Sequence, residues 1–188
     1  MGFENQKSMQ LSKQDKSDKG DWDKDIIPLI NTINKKKEYY TTSSCSGRIV
    51  LLKGKEKKEV GLFLFRTHDR VSLEELKKAL GESVSKYKGL IHFKQECSIL
   101  HVACESFKKA QDIVDKAKFC GWKKSGIIAS NNRVIAELLS TEKIEMPIAN
   151  NGRVLVSEEY LSLLVKEANN KLERTREKIK KLEKLLQE

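Results

Sequence analysis

Residues 48–84 read RIVLLKGKEKKEVGLFLFRTHDRVSLEELKKALGESV, and this run contains a strand, a turn, a second strand and the start of a helix. Arg48 to Lys53 and Val60 to Thr67 carry the apolar β-formers, and the polar, glycine-containing stretch around Gly54 and Lys57 between them predicts a hairpin. Ser72-Leu73-Glu74-Glu75 has the spacing of a capping box. It opens a helix whose Leu73, Leu76, Leu80 and Val84 share one side.

The same order recurs further along. Strands near Leu90–Gln95 and Ser98–Cys104 precede a helix that Ser106 caps, with Phe107, Ala110, Ile113, Val114 and Ala117 facing inward. Strands near Lys123–Ser130 and Arg133–Ser140 are followed by a loop holding Met146-Pro147 and a long helix over Ser157–Leu186. Upstream, residues 3 to 16 read as a polar helix. A second helix from Asp21 or Trp22 to Asn34 buries Trp22, Ile26, Leu29, Ile30 and Ile33. Three strand–strand–helix units predict an α+β fold, a mixed or antiparallel sheet with helices on one face, and not the alternating order of a Rossmann-like sheet. The expected organisation is one domain over residues 1–188: a helical part to residue 34, an α+β core over 40–156 and the long helix from 157.

That last helix repeats Leu161, Leu164, Ala168, Leu172, Thr175, Ile179, Leu182 and Leu186 at spacings of three and four, a seam that could pair with a second copy to give a homodimer or pack on the chain's own helices. Its second half holds eight basic and five acidic residues between Lys166 and Glu188. A solvated face explains them, and contact with RNA is the alternative.

The 188 residues carry 37 basic and 27 acidic side chains, a formal charge of +10. Such an excess attracts polyanions, nucleic acid first among them, although lysine-rich surfaces also serve solubility alone. Mean hydropathy is −0.56, and no apolar run is long enough to span a bilayer. The opening residues show neither a secretion signal nor a myristoylation motif. Cys45, Cys97, Cys104 and Cys120 lie scattered without a CxxC pair. Together these features lead us to expect a cytoplasmic protein with reduced thiols, no membrane partner and no metal centre.

Several stretches carry chemistry. Ser43-Ser44-Cys45-Ser46-Gly47-Arg48 joins small residues to a cation, so its backbone could approach a carboxylate or phosphate, with Arg48 as a bidentate donor; read as structure alone, it is a polar turn into a strand. His68, at the end of a strand beside Arg66 and Asp69, is a candidate base or a surface histidine. His101 and Cys104 stand three positions apart on one strand and so face opposite ways; His101 is a partly buried, hydrogen-bonded residue unless a cleft opens on its face. Trp122-Lys123-Lys124-Ser125-Gly126 mixes a ring, cations and a turn, suited to stacking a base, while core packing is the commoner fate of a lone tryptophan. No GxG occurs, which excludes dinucleotide and Walker fingerprints, and no nucleophile elbow supports a hydrolase.

The string Tyr40-Thr41-Thr42-Ser43-Ser44-Cys45-Ser46-Gly47-Arg48 resembles the signature of the tRNA wybutosine-synthesizing methyltransferase family. Asp15-Lys16-Ser17, Lys19-Gly20, Asp23, Ile30-Asn31, Leu100-His101-Val102, Gly121 to Lys123, Ser125-Gly126, Leu155 to Ser157 and Tyr160-Leu161 extend the resemblance over roughly residues 3 to 170. It implies methyl transfer from S-adenosylmethionine to the N4 ring nitrogen of a demethylwyosine-type base 3′ of the anticodon in phenylalanine tRNA, in the short archaeal form. On that footing, His68 and His101 are the catalytic candidates. Ser43 to Arg48 would hold the cofactor's carboxylate or a phosphate, and Tyr40, Arg66, Trp122, Lys123, Ser125 and Gly126 would hold RNA or its base. Where such proteins commonly have Trp before the histidine, this chain has Phe63 or Phe65. The competing reading is a basic RNA-binding module without catalysis.

Overall fold

A computed structural model describes residues 2–12, 23–54 and 61–188. The expected helix to residue 16, Trp22 and the tip of the first hairpin around Lys57 therefore lie partly or wholly outside the described residues. The elements are α1 (Phe3–Leu11), α2 (Ile27–Lys35), β1 (Tyr39–Cys45), β2 (Arg48–Lys53), β3 (Phe63–Thr67), α3 (Leu73–Lys86), β4 (Ile91–Glu96), β5 (Ile99–Cys104), α4 (Phe107–Phe119), β6 (Gly126–Ala129), β7 (Val134–Leu139), β8 (Ile144–Asn150), β9 (Arg153–Val154) and α5 (Glu158–Gln187). Among the described residues all strand pairings are antiparallel. The fold is α+β, as expected. Among the described residues no helix is long and apolar enough to cross a membrane.

The chain forms two compact units, and the strands form two sheets rather than one. The first unit takes the residues up to Ser46, Ser98–Thr141 and Thr175–Glu188. Its four-stranded sheet has the order β1-β5-β7-β6. Leu100, Val102, Ala136 and Leu138 on one sheet face pack with Leu29, Ile30 and Ile33 of α2, Ala110, Ile113 and Val114 of α4, and Ile179 and Leu182 of α5. Alternation along each strand leaves the other face for polar side chains. Ser106 caps α4 as expected, accepting from the Lys109 N–H at 3.3 Å. Phe107, expected to face inward, is instead 59% exposed.

The second unit, Gly47–Cys97 and Glu142–Arg174, has a five-stranded sheet in the order β3-β2-β4-β8-β9. Its core joins Ile49, Leu51, Ile91, Phe93 and Ile148 to Leu76 and Leu80 of α3 and to Leu161, Leu164 and Ala168 of α5. The β2–β3 hairpin and the capping box both form. Ser72 Oγ accepts from the Glu75 N–H at 3.1 Å and Glu75 Oε2 accepts from the Ser72 N–H at 2.7 Å.

Three expectations are corrected. The strands at 91–96 and 99–104 do not pair with each other: β4 joins β2 and β8, whereas β5 joins β1 and β7. Ile91 and Phe93 bury into one core and Leu100 and Val102 into another, which a single hairpin could not satisfy. Met146-Pro147 is not in a loop but in β8, where Pro147 faces His92 next to a register shift. β9 reaches only Ala149 and Asn150, so Pro147 stands on a stretch of β8 with no outer neighbour to miss its N–H. Finally, the second helix, expected from Asp21 or Trp22, begins only at Ile27. The seam of α5 takes the second of its two readings and packs inside the chain: Leu161, Leu164, Ala168, Leu172, Thr175, Ile179, Leu182 and Leu186 are all buried.

Glu145 of β8 lies opposite Lys94 and bonds both Lys94 and, at 2.6 Å, Lys143. These hydrogen bonds, Lys143's being the larger, hold its carboxyl down to about 2. A depressed carboxylate stabilises the fold above its unfolded value near 4.5, and the contribution is lost as pH falls toward 2. Replacing Glu145 with glutamine therefore lowers stability at pH 7 by no more than about 1 kcal/mol, because the group is partly solvated. The difference from wild type closes between pH 4.5 and 2 in denaturant titrations; a gap of constant size across that window would disprove it.

Candidate functional site

The run expected to bend around a ligand is a strand as far as Cys45. Tyr39 pairs with Cys104, Tyr40 with Ala103 and Thr41 with Val102; then the register slips, and Ser43 pairs with His101. Strict alternation would put Ser43 on the helix-covered face with Tyr39 and Thr41. One inserted residue, Thr42, moves it to the open face. The slip is pinned on both sides. Asn34 accepts from the Thr41 N–H at 2.8 Å and donates to Thr41 Oγ1 at 3.1 Å, while Thr42 Oγ1 donates to the His101 carbonyl at 3.4 Å.

A row of side chains follows across the first sheet. Ser43, His101 and Glu137 are direct cross-strand neighbours on β1, β5 and β7, and Gly126 of β6 faces Glu137. Ser43 Oγ lies 2.8 Å from His101 Nδ1, and His101 Nε2 lies 2.8 Å from Glu137 Oε2. A carboxylate only accepts, so Nε2 carries the proton and Nδ1 presents its lone pair to the Ser43 hydroxyl. Ser43 is exposed, while His101 and Glu137 retain 29% and 26% side-chain exposure. The hydroxyl can thus take a proton from an outside group while passing its own to an imidazole that the carboxylate stabilises as a cation.

The surroundings of the row are uneven. At Gly126 no atom lies within 4 Å of where a Cβ would stand, so that end is open. Toward the start of β7, Ile135 and the preceding Arg133 join Ile128, Ala129 and Asn131 around a hollow of about 480 Å³. Arg133 also stands 5.8 Å over the Tyr40 ring. Tyr40 is no stacking platform for RNA: it is fully buried, its ring 5.2 Å from Phe3 and its hydroxyl 3.3 Å from Gln6 Oε1. Side chains of α1 occupy the position that a base would need.

Trp122 is likewise corrected from base contact to core. It has no exposed surface, and its Nε1–H donates to the Lys178 carbonyl at 3.2 Å. Ser125 is buried with it, its hydroxyl donating to the Trp122 carbonyl at 2.6 Å and accepting the Leu139 N–H at 3.0 Å. Lys123 is exposed.

Ser44 and Cys45 continue β1 opposite Leu100 and Ile99 and are half-buried. Ser46 is buried and its N–H donates to Asp23 Oδ2 at 2.8 Å, so it does not offer that donor to a ligand. Gly47, at φ 101°, supplies the positive φ that turns the chain into β2. In the second unit, its carbonyl accepts from His68 Nδ1–H at 2.9 Å, which makes Nε2 the basic nitrogen of neutral His68. Arg48 is not an uncommitted anion fork: its Nε donates to Glu96 at 2.5 Å. Arg48 and Arg66 both lie over Phe63, at 4.8 and 5.3 Å, so the phenylalanine standing before His68 carries two cations.

Glu137 and Arg133 escaped the sequence reading. Glu137 breaks the apolar run of Val134–Leu139 at an open-face position, a signal of exposure but not of partner, because cross-strand register is absent from a linear pattern. All four cysteines are free thiols, and burial pushes that of Cys104 up to about 12, which fits a core role.

Comparison with known proteins matches residues 4–188 to the family described as methyltransferase TYW3. A Thermococcus sibiricus protein named tRNA(Phe) 7-((3-amino-3-carboxypropyl)-4-demethylwyosine(37)-N(4))-methyltransferase is 37% identical over 96% of this chain and 92% of its own. A Pyrococcus furiosus protein of that name, numbered 1, is 40% identical over 88% and 84%. The fold is similar to a solved Pyrococcus horikoshii protein, with TM-score 0.86 and 36% identity over 98% of this chain and 96% of that one. With the match running almost from end to end, this chain belongs to the TYW3 methyltransferase family.

Proposed function

We propose that the protein methylates the N4 ring nitrogen of a 7-(3-amino-3-carboxypropyl)-4-demethylwyosine-type base, 3′ of the anticodon in phenylalanine tRNA, with S-adenosylmethionine as donor. The likeness to relatives carrying that activity in their names, over nearly the whole chain, carries the reading. The charge of +10 and the open polar row on the first sheet agree with it.

The residues around the row fit the cofactor. The hollow beside it combines an arginine for a carboxylate with Asn131 and the apolar Ile128, Ala129 and Ile135 for a flat ring. Arg133 is the residue that would hold the carboxylate, a role that the paired Arg48 fills less well. S-adenosylmethionine, when bound, supplies an electrophilic methyl group on a sulfonium. The protein's own part is to hold the base in line and take a proton. Ser43 Oγ accepts the ring N–H and hands its own proton to His101 Nδ1, and the resulting imidazolium is paired with Glu137. The N–H electron pair would thereby form the new N–C bond, while the pair of the broken S–CH3 bond stays on the donor's sulfur, which leaves as a neutral thioether. In the second unit, Arg48 and Arg66, both over the Phe63 ring, offer cations suited to RNA phosphate.

The test is methylation of tRNA taken from cells blocked one step earlier, read by nucleoside mass spectrometry. One added methyl on the tricyclic nucleoside is expected. Binding of that tRNA with no methyl gained in the presence of S-adenosylmethionine would replace this reading with a non-catalytic RNA-binding module.

A further inference from the structure

The end of α4, the turn after it and the last turns of α5 make a second cationic surface in the first unit. Lys116 to Lys124 contains four lysines and no acid; Lys178 to Lys184 contains four lysines and one acid, Glu183, which bonds Gln187. The packing brings these stretches together. The Gly121 backbone lies against the Lys178 side chain, Trp122 bonds the Lys178 carbonyl, and the Lys124 N–H donates to the Leu139 carbonyl at 3.2 Å. Lys118, Lys123, Lys124 and Lys181 are exposed, and among the described residues none of them forms an ion pair.

Phe119 is 73% exposed on this surface, with Lys181 Nζ 5.2 Å from its ring centre. Glu177 is one helical turn from Lys181 and within reach of it, yet the ammonium rests on the ring. Lysines at a helix C-terminus offset its dipole, which accounts for Lys116 and Lys118 in the last turn of α4 but not for Lys123, Lys124 or Lys181. An exposed aromatic bearing one cation, on a surface with further lysines that form no ion pair among the described residues, is suited to a phosphate chain with an accessible sugar or base.

The placement also says which part of the RNA is concerned. α4 covers the face of the first sheet that holds Leu100 and Val102, whereas Ser43, His101 and Glu137 lie on the opposite face. The sheet and a helix roughly 10–12 Å across separate the two. We infer that Lys118, Phe119, Lys123, Lys124 and Lys181 form a docking surface for the tRNA backbone away from the nucleotide being methylated. This rests on the tRNA substrate proposed above and adds a binding surface outside the reacting site.

The experiment compares wild type with the quadruple variant K118A/K123A/K124A/K181A, and separately with Phe119→Ala, in binding phenylalanine tRNA across a salt series and in turnover at saturating tRNA. All five side chains are exposed, and thermal melting confirms that the variants are folded. Removing four lysines is expected to weaken binding about tenfold or more at 0.15 M salt and to flatten the log–log salt dependence by roughly 0.7–0.9 for each phosphate no longer neutralised. Phe119→Ala is expected to weaken binding with little change in that slope, and kcat stays at the wild-type value in both. An unchanged Kd and slope in the quadruple variant, with wild type binding and methylating normally, overturns the surface alone. The same result accompanied by disappearance of a wild-type dimer in light scattering assigns it to a second copy instead. Wild type that binds no tRNA overturns the tRNA reading itself.

Discussion

Replacing His101 with alanine lowers kcat for methyl transfer by about 10²–10⁴-fold, the range that a positioned acid–base group contributes. His101 is held at both ring nitrogens, by Ser43 at 2.8 Å and by Glu137 at 2.8 Å, so its ring is oriented before substrate arrives. Without the imidazole, Ser43 has nowhere to pass its proton. Binding of tRNA and thermal stability change little, because the side chain keeps 29% exposure and Glu137 is solvated when its partner goes. A split between kcat and KM separates this role from a structural one: kcat falls while KM for tRNA and Tm hold. Glu137→Gln is the finer probe: an amide can donate to Nε2 as well as accept from it, which permits the tautomer with the proton on Nδ1 and costs activity while His101 remains. An alanine variant that keeps more than about a third of wild-type kcat, outside the range a general base accounts for, removes the row from the mechanism. A loss of about 10²–10⁴-fold in His68→Ala, with kcat intact in His101→Ala, would move the base to His68.

Trp122→Ala destabilises the protein by about 3–5 kcal/mol, as expected for emptying a core site of this size. The indole is among the largest fully buried side chains, packed in the core with Leu138, Ile113 and Ile179. Its N–H satisfies the Lys178 carbonyl, a bond worth about 1 kcal/mol more. For a chain of this length each kcal/mol moves Tm by about 2–4 °C, so calorimetry should record a fall of roughly 10 °C. Trp122→Phe keeps most of the volume and loses less. If Trp122→Phe instead weakened tRNA binding with its melting temperature unchanged, the ring would be an RNA contact and its burial irrelevant.

Local features were legible in the sequence because they depend on neighbours in the chain. Ser72 and Glu75 three positions apart close a capping box, and Leu76 and Leu80 four apart face the same way in α3. The apolar, polar and apolar blocks of residues 48–67 form the β2–β3 hairpin, and Ser106 caps α4. The string around Ser43–Arg48 was informative as a family signature. As geometry it misled, since small residues that allow a bend also allow a strand with a bulge, and hydrogen bonds from Asn34 select the strand.

The candidate site was half visible. His101 and Ser43 could be named, but not joined, because 58 residues separate them and only the slip at Thr42 sets them face to face. Trp122 next to two lysines could be a stacking ring or a core residue, and only the fold buries it.

The caps of α3 and α4, the first hairpin, the α+β class and the family follow from the order of residues alone, since each rests on local spacing or on a string of residues. Tertiary structure decided which strands share a sheet, that β4 and β5 part at Cys97 and Ser98, that α5 spends its seam inside the chain, and that Glu137 stands beside His101. The physical reason is that strand pairing and register join distant segments, chosen by which arrangement buries every apolar face at once, and no single segment carries that information.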